Sequence, residues 1–423
     1  MRILWITNSL FEEYFVSKGK HAAFTGGWMR SLALKLREMY PDIELGIASR
    51  LKEVRQLEEL KSGDFTFFAL PGDLYQNSYD SSIESDWKEV NKRFNPDVIH
   101  IHGSEFPHGL AYVKANGSNN VLVSLQGIVS RYARYNSGGV SNSQFVKNLT
   151  FYDLFISSTP FADKTKYKKL GLLEEKLLKS VKYIVGRTSW DKVHAWAINP
   201  DATYHFCNET LRKEFYTPNN WELSSCQPHR IFLSQAAKPI KGIHKVIEAL
   251  PLILRKHPDT EVYVAGHDFT RNDNLHSKLR YSTYAKYVNN LMHELGVKDK
   301  IHFLGMLDAE QMAEQLRLAN VFVCPSSIEN SPNSLGEAQL IGCPVVASYV
   351  GGIPDMVEDG KTGLLYRFEE TEMLAYSVCR IFDDKDLSIR ISNNGKNAAE
   401  LRHEGNKNAT DMMNIYKEIL SGK

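Results

Sequence analysis

Short apolar runs alternate with segments of helical period along the whole chain, and this alternation limits the fold more than any other feature. The runs in the first half are residues 3–7, 43–48, 65–70, 98–102, 121–125 and 183–185; those in the second are 231–234, 262–265, 301–304, 321–324 and 345–347. Each is a short continuous run, the pattern of a strand covered on both faces. Buried strands separated by helices form parallel sheets. Two such series in 423 residues predict two Rossmann-like α/β domains, since one core rarely grows to that size. The polar stretch 219–229 marks the expected boundary, giving an N-terminal domain at 1–222 and a C-terminal domain at 223–400; residues 401–423 have helical spacing. Ligands of open parallel sheets bind beyond the carboxyl ends of the strands. Two such edges facing across a central cleft make polar residues at strand ends the candidates for function.

The charge balance excludes one large class of partner. With 24% charged residues and a net charge of +1, the chain lacks the basic excess of nucleic-acid-binding domains. The cysteines are scattered, with no C-x-x-C pair, and Cys207, Cys324 and Cys343 lie in or beside apolar runs. They read as buried thiols in a reducing compartment. The sequence opens on strand-like residues 1–8 without a leader pattern, and no run of 18 apolar residues occurs. A cytoplasmic location is expected.

The densest cluster of strand-end polar residues is ENSPNSLGEAQLIG, residues 329–342. Glu329 and Glu337 stand eight positions apart, and the polar turn between them follows a strand and opens a helix. Unpaired amides at a helix N-terminus, aligned with its dipole, suit an anionic phosphate. Asn333, Ser334 and Leu335 are the residues expected to supply those amides. Glu329, ahead of the helix, is placed to reach a sugar hydroxyl, and Glu337 to accept from ribose hydroxyls. A structural reading fits the same residues: Ser334 to Glu337 is S-x-x-E, a capping box, with Gly342 ending the helix.

Continued to residue 366, the stretch ENSPNSLGEAQLIGCPVVASYVGGIPDMVEDGKTGLLY resembles the C-terminal signature of the retaining GT-B glycosyltransferases of family 4 (glycosyltransferase group 1). E-x7-E, a small-residue helix, G-x-PVVAS, GGIP and DGxTGLL follow in that order. Weaker resemblance covers nearly the whole chain, including PDVIHIHG at 96–103 and KGIHKVIEAL at 241–250. The resemblance implies the GT-B fold, with 401–423 packing back on the first domain. It places Lys241 at the donor phosphates, where a cation stabilises a leaving diphosphate. It places the loop glycines Gly26 and Gly27 beside the diphosphate, although such a pair alone reads as a plain loop-to-helix turn. It places Met306 and Leu307 under the nucleotide base, which their backbone would read.

The chain departs from the family pattern twice. Gln126 ends a strand where many members carry a histidine that touches the donor sugar; glutamine can donate a hydrogen bond but carries no proton or charge. Gln235-Ala236 stand where the family has Gly-Arg. Lys238 is then the nearest cation, a point charge rather than a planar fork.

Three further groups lie in the first half. His102 ends its strand beside Gly103 and is expected to face the cleft, whereas His100 reads as a packed strand histidine. Glu105 and His108 are placed either to bind an acceptor hydroxyl or in a surface loop. Residues 131–182 mix Tyr132, Phe151 and Phe161 with many lysines and arginines. This composition suits either an anionic membrane surface or a solvated helix face.

The resemblance implies a hexosyltransferase-type enzyme (EC 2.4 class). It would move a sugar, with retention, from a nucleoside-diphosphate sugar to a hydroxyl of a glycan or lipid-linked acceptor, in surface polysaccharide or glycolipid assembly. Glu329, Lys241 and His102 are the catalytic candidates, and no residue stands out as a covalent nucleophile. Gly26, Gly27, Gln126, Lys238, Met306, Leu307, Asn333, Ser334, Leu335 and Glu337 are the donor-binding candidates. No metal or cofactor is expected. A nucleotide-sugar epimerase and a non-catalytic nucleotide-sugar-binding paralogue are the alternatives. A nicotinamide dehydrogenase is disfavoured because neither half carries G-x-G-x-x-G.

Overall fold

The computed structural model describes residues 1–20, 27–76, 78–156, 159–273 and 281–422. The chain forms two compact units, and neither is a single stretch of sequence. The first comprises Met1–Arg131, Lys166–Leu211 and His403–Lys423; the second comprises Tyr132–Thr165 and Arg212–Arg402.

The first unit is built on β1 (Arg2–Ile6), β2 (Glu44–Leu51), β3 (Glu58–Ser62), β4 (Phe65–Pro71), β5 (Val98–His102), β6 (Val121–Ser124), β7 (Tyr183–Gly186) and β8 (Thr203–Phe206). Their order is β3-β4-β2-β1-β5-β6-β7-β8, all parallel except β3, which runs antiparallel to β4. Ile3 and Trp5 enter one core layer while Leu4 and Ile6 enter the other. This two-sided burial is what continuous apolar runs predict. The strand order reverses between β1 and β5.

The second unit carries β9 (Arg230–Leu233), β10 (Glu261–Val264), β11 (Ile301–Phe303), β12 (Val321–Cys324), β13 (Val345–Ser348) and β14 (Leu364–Tyr366). All pairs are parallel in the order β11-β10-β9-β12-β13-β14, with the reversal between β9 and β12. This is the doubly wound Rossmann order.

Every predicted strand forms. Three others lie outside the predicted runs: β3 is a charged edge strand, β8 is a half-exposed edge strand and β14 has three residues. The excursion 132–165 belongs to the second unit for a packing reason. Val140 and Phe145 join the core of Ile231, Leu233 and Val264, and Asn290 Nδ2 donates to Asn148 Oδ1 at 2.9 Å.

The last helix, Gly405–Ser421, is capped by the Glu404 side chain. It buries Ala409, Met412, Met413, Tyr416 and Ile419, spaced to form one apolar face, in the same core layer as Trp5 and Leu32. Trp5 Nε1 donates to the Tyr416 hydroxyl at 3.0 Å, and that hydroxyl lies 2.7 Å from His100 Nδ1. Since the indole can only donate, the phenol proton goes to Nδ1, and His100 Nε2–H meets Ser124 Oγ at 2.6 Å. His100 is thus the packed strand histidine its position predicts. Tyr416→Phe strips the shared hydroxyl from two buried partners and is expected to cost about 1–3 kcal/mol, read as a lower denaturant midpoint with unchanged slope.

Candidate functional site

β9 and β12 flank the strand reversal in the second unit, so the segments leaving both reach one edge. A small pocket there is lined by Ser234, Gln235, Lys241, Cys324, Ser326, Glu329 and Ser334. Lys241 ends the short turn Pro239–Lys241, and Gly242 (φ +73°) starts the helix Ile243–Lys256. A Cβ at 242 would collide with the Pro325 carbonyl; glycine is what lets this turn lie against the end of β12. Lys241 Nζ then stands 2.6 Å from Glu329 Oε1, and Ser326 Oγ donates to the same oxygen at 2.7 Å. The Glu329 backbone is fixed as well: Gly352 N–H donates to its carbonyl at 3.0 Å. Gly351 (φ +53°) packs so close to that carbonyl that a Cβ would overlap it.

The helix Asn333–Ile341 begins at Pro332, which has no side-chain acceptor, so Ser334 lies inside the helix. The capping box suggested by S-x-x-E therefore does not form. Instead the Glu337 carboxylate meets Arg212, with Nε at 2.9 Å and Nη2 at 2.8 Å from the same oxygen, Oε1. Burial pushes the Glu337 carboxyl up to about 7; Arg212 opposes this and Glu214 adds to it. Leu335 N–H donates to the Pro332 carbonyl at 3.0 Å. The amides left without a backbone acceptor, among the described residues, are thus those of Asn333 and Ser334, not Leu335. Gly342 (φ +86°) ends the helix as expected. Arg402 holds the same helix from another side, with Nη1 2.9 Å from Gln339 Oε1.

The other donor candidates of this unit lie apart from that pocket. Lys238 is exposed, and its carbonyl accepts from Lys241 N–H at 2.9 Å. Met306 is exposed and Leu307 half-buried. They follow Gly305, whose backbone is paired in both directions with Gly266 (2.8 and 3.1 Å). The turn is therefore a fixed piece of backbone with an outward side chain.

In the first unit, His102 closes β5 fully buried. Its ring centroid lies 3.8 Å from that of His100 and 4.2 Å from that of Trp5. Neither ring nitrogen has a hydrogen-bond partner among the described residues. Burial, and then the neighbouring His100, hold its pKa well below the usual imidazole range. His102 lines a small cavity with Trp28, Gln126, Gly186, Arg187 and Glu209. Arg187 forms an ion pair with Glu209. Its Nη2 donates to the Leu125 carbonyl at 3.0 Å and to Gln126 Oε1 at 3.4 Å.

Glu105 sits where β1 and β5 diverge. Asn8 Nδ2 donates to its Oε1 at 2.6 Å, while Oε2 is enclosed without a partner among the described residues. The carboxyl is buried although the residue as a whole is half-exposed, and that burial raises its pKa to about 7. His108 is buried in the first turn of the helix Pro107–Asn116, and burial lowers its pKa to about 3. Neither side chain belongs to an open surface loop. Gly26 lies outside the described residues, and Gly27 is the exposed first residue of the helix Gly27–Met39.

Sequence reasoning missed Arg212, Arg187 and Glu209. Arg187 directly follows β7, and Glu209 lies just past β8, so strand-end position was the available signal. Arg212 is separated from its partner by 125 residues, and no local pattern announces it. Among the described residues, no group of three His, Cys, Asp or Glu side chains is spaced to hold a metal ion, and no helix is long and apolar enough to cross a membrane.

Two doubly wound α/β units with carboxylate–cation pairs at a sheet reversal define a GT-B architecture. Sucrose-phosphate synthase from Thermosynechococcus elongatus shares it at a TM-score of 0.72 and 17% identity, covering 100% of both chains. So does Anabaena HepE, solved in complex with UDP and glucose, at a TM-score of 0.64 and 16% identity over 99% of this chain and 100% of that one. At this identity the likeness establishes the fold. Residues 223–398 match the family described as glycosyl transferases group 1. A D-inositol 3-phosphate glycosyltransferase of Corynebacterium efficiens is 28% identical over 248 residues, 55% of each chain. The chain spans about half the length of the curated relatives it matches.

The raised Glu337 carboxyl fixes a pH dependence. Its folded value of about 7 exceeds the ordinary glutamate value of 4.5, so the folded state holds the proton more tightly. This contribution to stability is complete below pH 4.5 and is lost as pH rises towards 7. The shift corresponds to at most about 3 kcal/mol. Glu105 acts in the same direction. The unfolding free energy is expected to fall across this window, and Glu337→Gln to make the fall shallower. Equal slopes for wild type and variant would contradict it.

Proposed function

We propose that the protein is a retaining glycosyltransferase that uses a nucleoside-diphosphate sugar as donor. One observation carries this reading. Both carboxylates of E-x7-E are gripped by cations from distant elements at the carboxyl edge of a doubly wound sheet, beside amides with no backbone acceptor. The match of residues 223–398 to the family described as glycosyl transferases group 1 supports it.

In this reading the donor diphosphate lies against the Asn333 and Ser334 amides and Lys241, which stabilise the negative charge that grows as the anomeric C–O bond breaks. Glu329 accepts from donor-sugar hydroxyls and Glu337 from the ribose. The acceptor hydroxyl oxygen bonds to the anomeric carbon on the face the diphosphate leaves, and its proton passes to the departing phosphate oxygen. No covalent enzyme intermediate, metal or cofactor is invoked. Within the first unit, His102, a neutral imidazole, and Gln126 line a cavity of their own suited to hydroxyl groups. Glu105 and His108 serve the acceptor, a glycan or lipid-linked hydroxyl of surface polysaccharide or glycolipid assembly. The protein works in the cytoplasm, peripheral to the membrane.

The test is a thermal-shift titration with UDP, GDP, ADP and their sugar conjugates. Saturation at about 100 times Kd stabilises the native state by about 2.7 kcal/mol. A midpoint rise with one nucleotide series, lost in Glu337→Ala, is the expected result. Lys241→Met is expected to lower kcat by about 100-fold or more, as loss of a transition-state charge contact does, with nucleotide binding weakened less. A non-catalytic paralogue is the second reading, favoured by Gln126 and by Gln235-Ala236. It predicts nucleotide binding without turnover of any donor. Donor consumption without an acceptor would point to the epimerase.

The membrane part of the reading rests on the helix Pro160–Ser180. Lys164, Lys166, Lys168, Lys169, Lys176 and Lys179 are all exposed on it, with Leu172 63% exposed and, nearby in sequence, Phe151 92% exposed. Basic side chains with outward apolar ones suit anionic lipid. Vesicles rich in phosphatidylserine are expected to carry the protein in flotation at low salt and release it at high salt. Absence of flotation at low salt removes this element.

A further inference from the structure

We propose that Arg212 is the positioning residue for ribose recognition: it clamps Glu337 through one oxygen and keeps that carboxylate an acceptor for the two vicinal hydroxyls of the donor nucleotide. The inference rests on the reading of Glu337 as the ribose-binding residue.

The geometry is specific. Arg212 Nε and Nη2 both approach Oε1, at 2.9 and 2.8 Å, rather than spanning the two oxygens as a bidentate pair does. One carboxylate oxygen is thereby fixed and the plane of the group is set. The guanidinium is itself held, lying 4.9 Å over the Phe215 ring beside the short turn Lys213–Phe215. The Glu337 side chain is 6% exposed and that of Arg212 32%, so the cation remains in touch with water while the anion does not.

Fold stability alone gives little reason for such a pair. A buried ion pair roughly breaks even against apolar residues of the same volume. Its chemical effect is on the state of the carboxyl. Burial and the nearby Glu214 both favour the neutral acid; Arg212 alone among the named causes opposes them, and the group still sits at about 7. Without the guanidinium it would be protonated at neutral pH. A neutral carboxyl carries an O–H and loses acceptor capacity, whereas two ribose hydroxyls offer two donors. A 2′-deoxyribose offers one fewer.

The experiment compares wild type, Arg212→Met, Arg212→Lys and Glu337→Gln. Calorimetric titration at pH 7.5 uses UDP, GDP and ADP, their 2′-deoxy forms, and inorganic pyrophosphate. Wild type is expected to prefer the ribonucleotide over its deoxy form by about tenfold. Arg212→Met is expected to bring this ratio close to one while pyrophosphate affinity is retained, and Arg212→Lys to restore part of it. A preserved ratio in a folded Arg212→Met, checked by its thermal midpoint, overturns the proposal. If that variant does not fold, Arg212→Lys decides at pH 6 to 8.5: a ratio below that of wild type, falling on acidification at a higher pH than in wild type, is expected, and a wild-type ratio across the whole range overturns the proposal. A preserved ratio in Glu337→Gln instead refutes ribose binding by Glu337, and the Arg212 inference with it.

Discussion

A carboxylate taken out of water must meet a cation or give up its charge, and the second unit meets this constraint twice at one sheet edge. Lys241 answers Glu329, and Arg212 answers Glu337. Each cation comes from a segment far from the motif, so the motif is a site only once the whole unit has folded. The backbone around it shows the same dependence. Gly242 and Gly351 occupy positions where a side chain would strike the chain carrying Glu329 or its strand. The doubly wound order places all of these groups together, because β9 and β12 are neighbours at the reversal.

The first unit handles buried titratable groups differently. His100, His102 and His108 are kept neutral by burial, and Glu105 shares one oxygen with Asn8 while its carboxyl is raised. Near Gln126, Arg187 and Glu209 form a buried ion pair. A neutral, hydrogen-bonding edge suits hydroxyl-rich ligands, and a charged edge suits phosphate.

Much of the fold was legible in the residues. Continuous apolar runs marked eleven strands, whereas β3 and β8 escaped because their residues are charged or half-exposed, and the three-residue β14 was missed although its Leu364–Tyr366 run is apolar. The sequence expected a change of domain at 219–229, while the units divide at 211 and 212 and the second also takes 132–165. Periodicity reports local structure and is silent about which core a helix joins; Phe145 looks the same in either. Within the site, Glu329, Lys241 and Glu337 were legible from spacing and resemblance. The competing capping-box reading failed on Pro332, which starts the helix two residues ahead of Ser334. Arg212 was not legible, since an ion pair across 125 residues leaves no trace in a window of sequence.

The interleaving of the two units also bears on descent. The stretch that matches a family, 223–398, is not a self-sufficient module: Val140 and Phe145 complete its core from outside, and Arg212 lies upstream of it as well. Recombination that moved this stretch alone into another scaffold would leave an apolar hole and an orphaned carboxylate. Joint inheritance of the two segments is therefore expected, with substitutions in 132–165 tracking those in the helix Thr283–Glu294, which carries Asn290, more closely than those in their own flanking sequence.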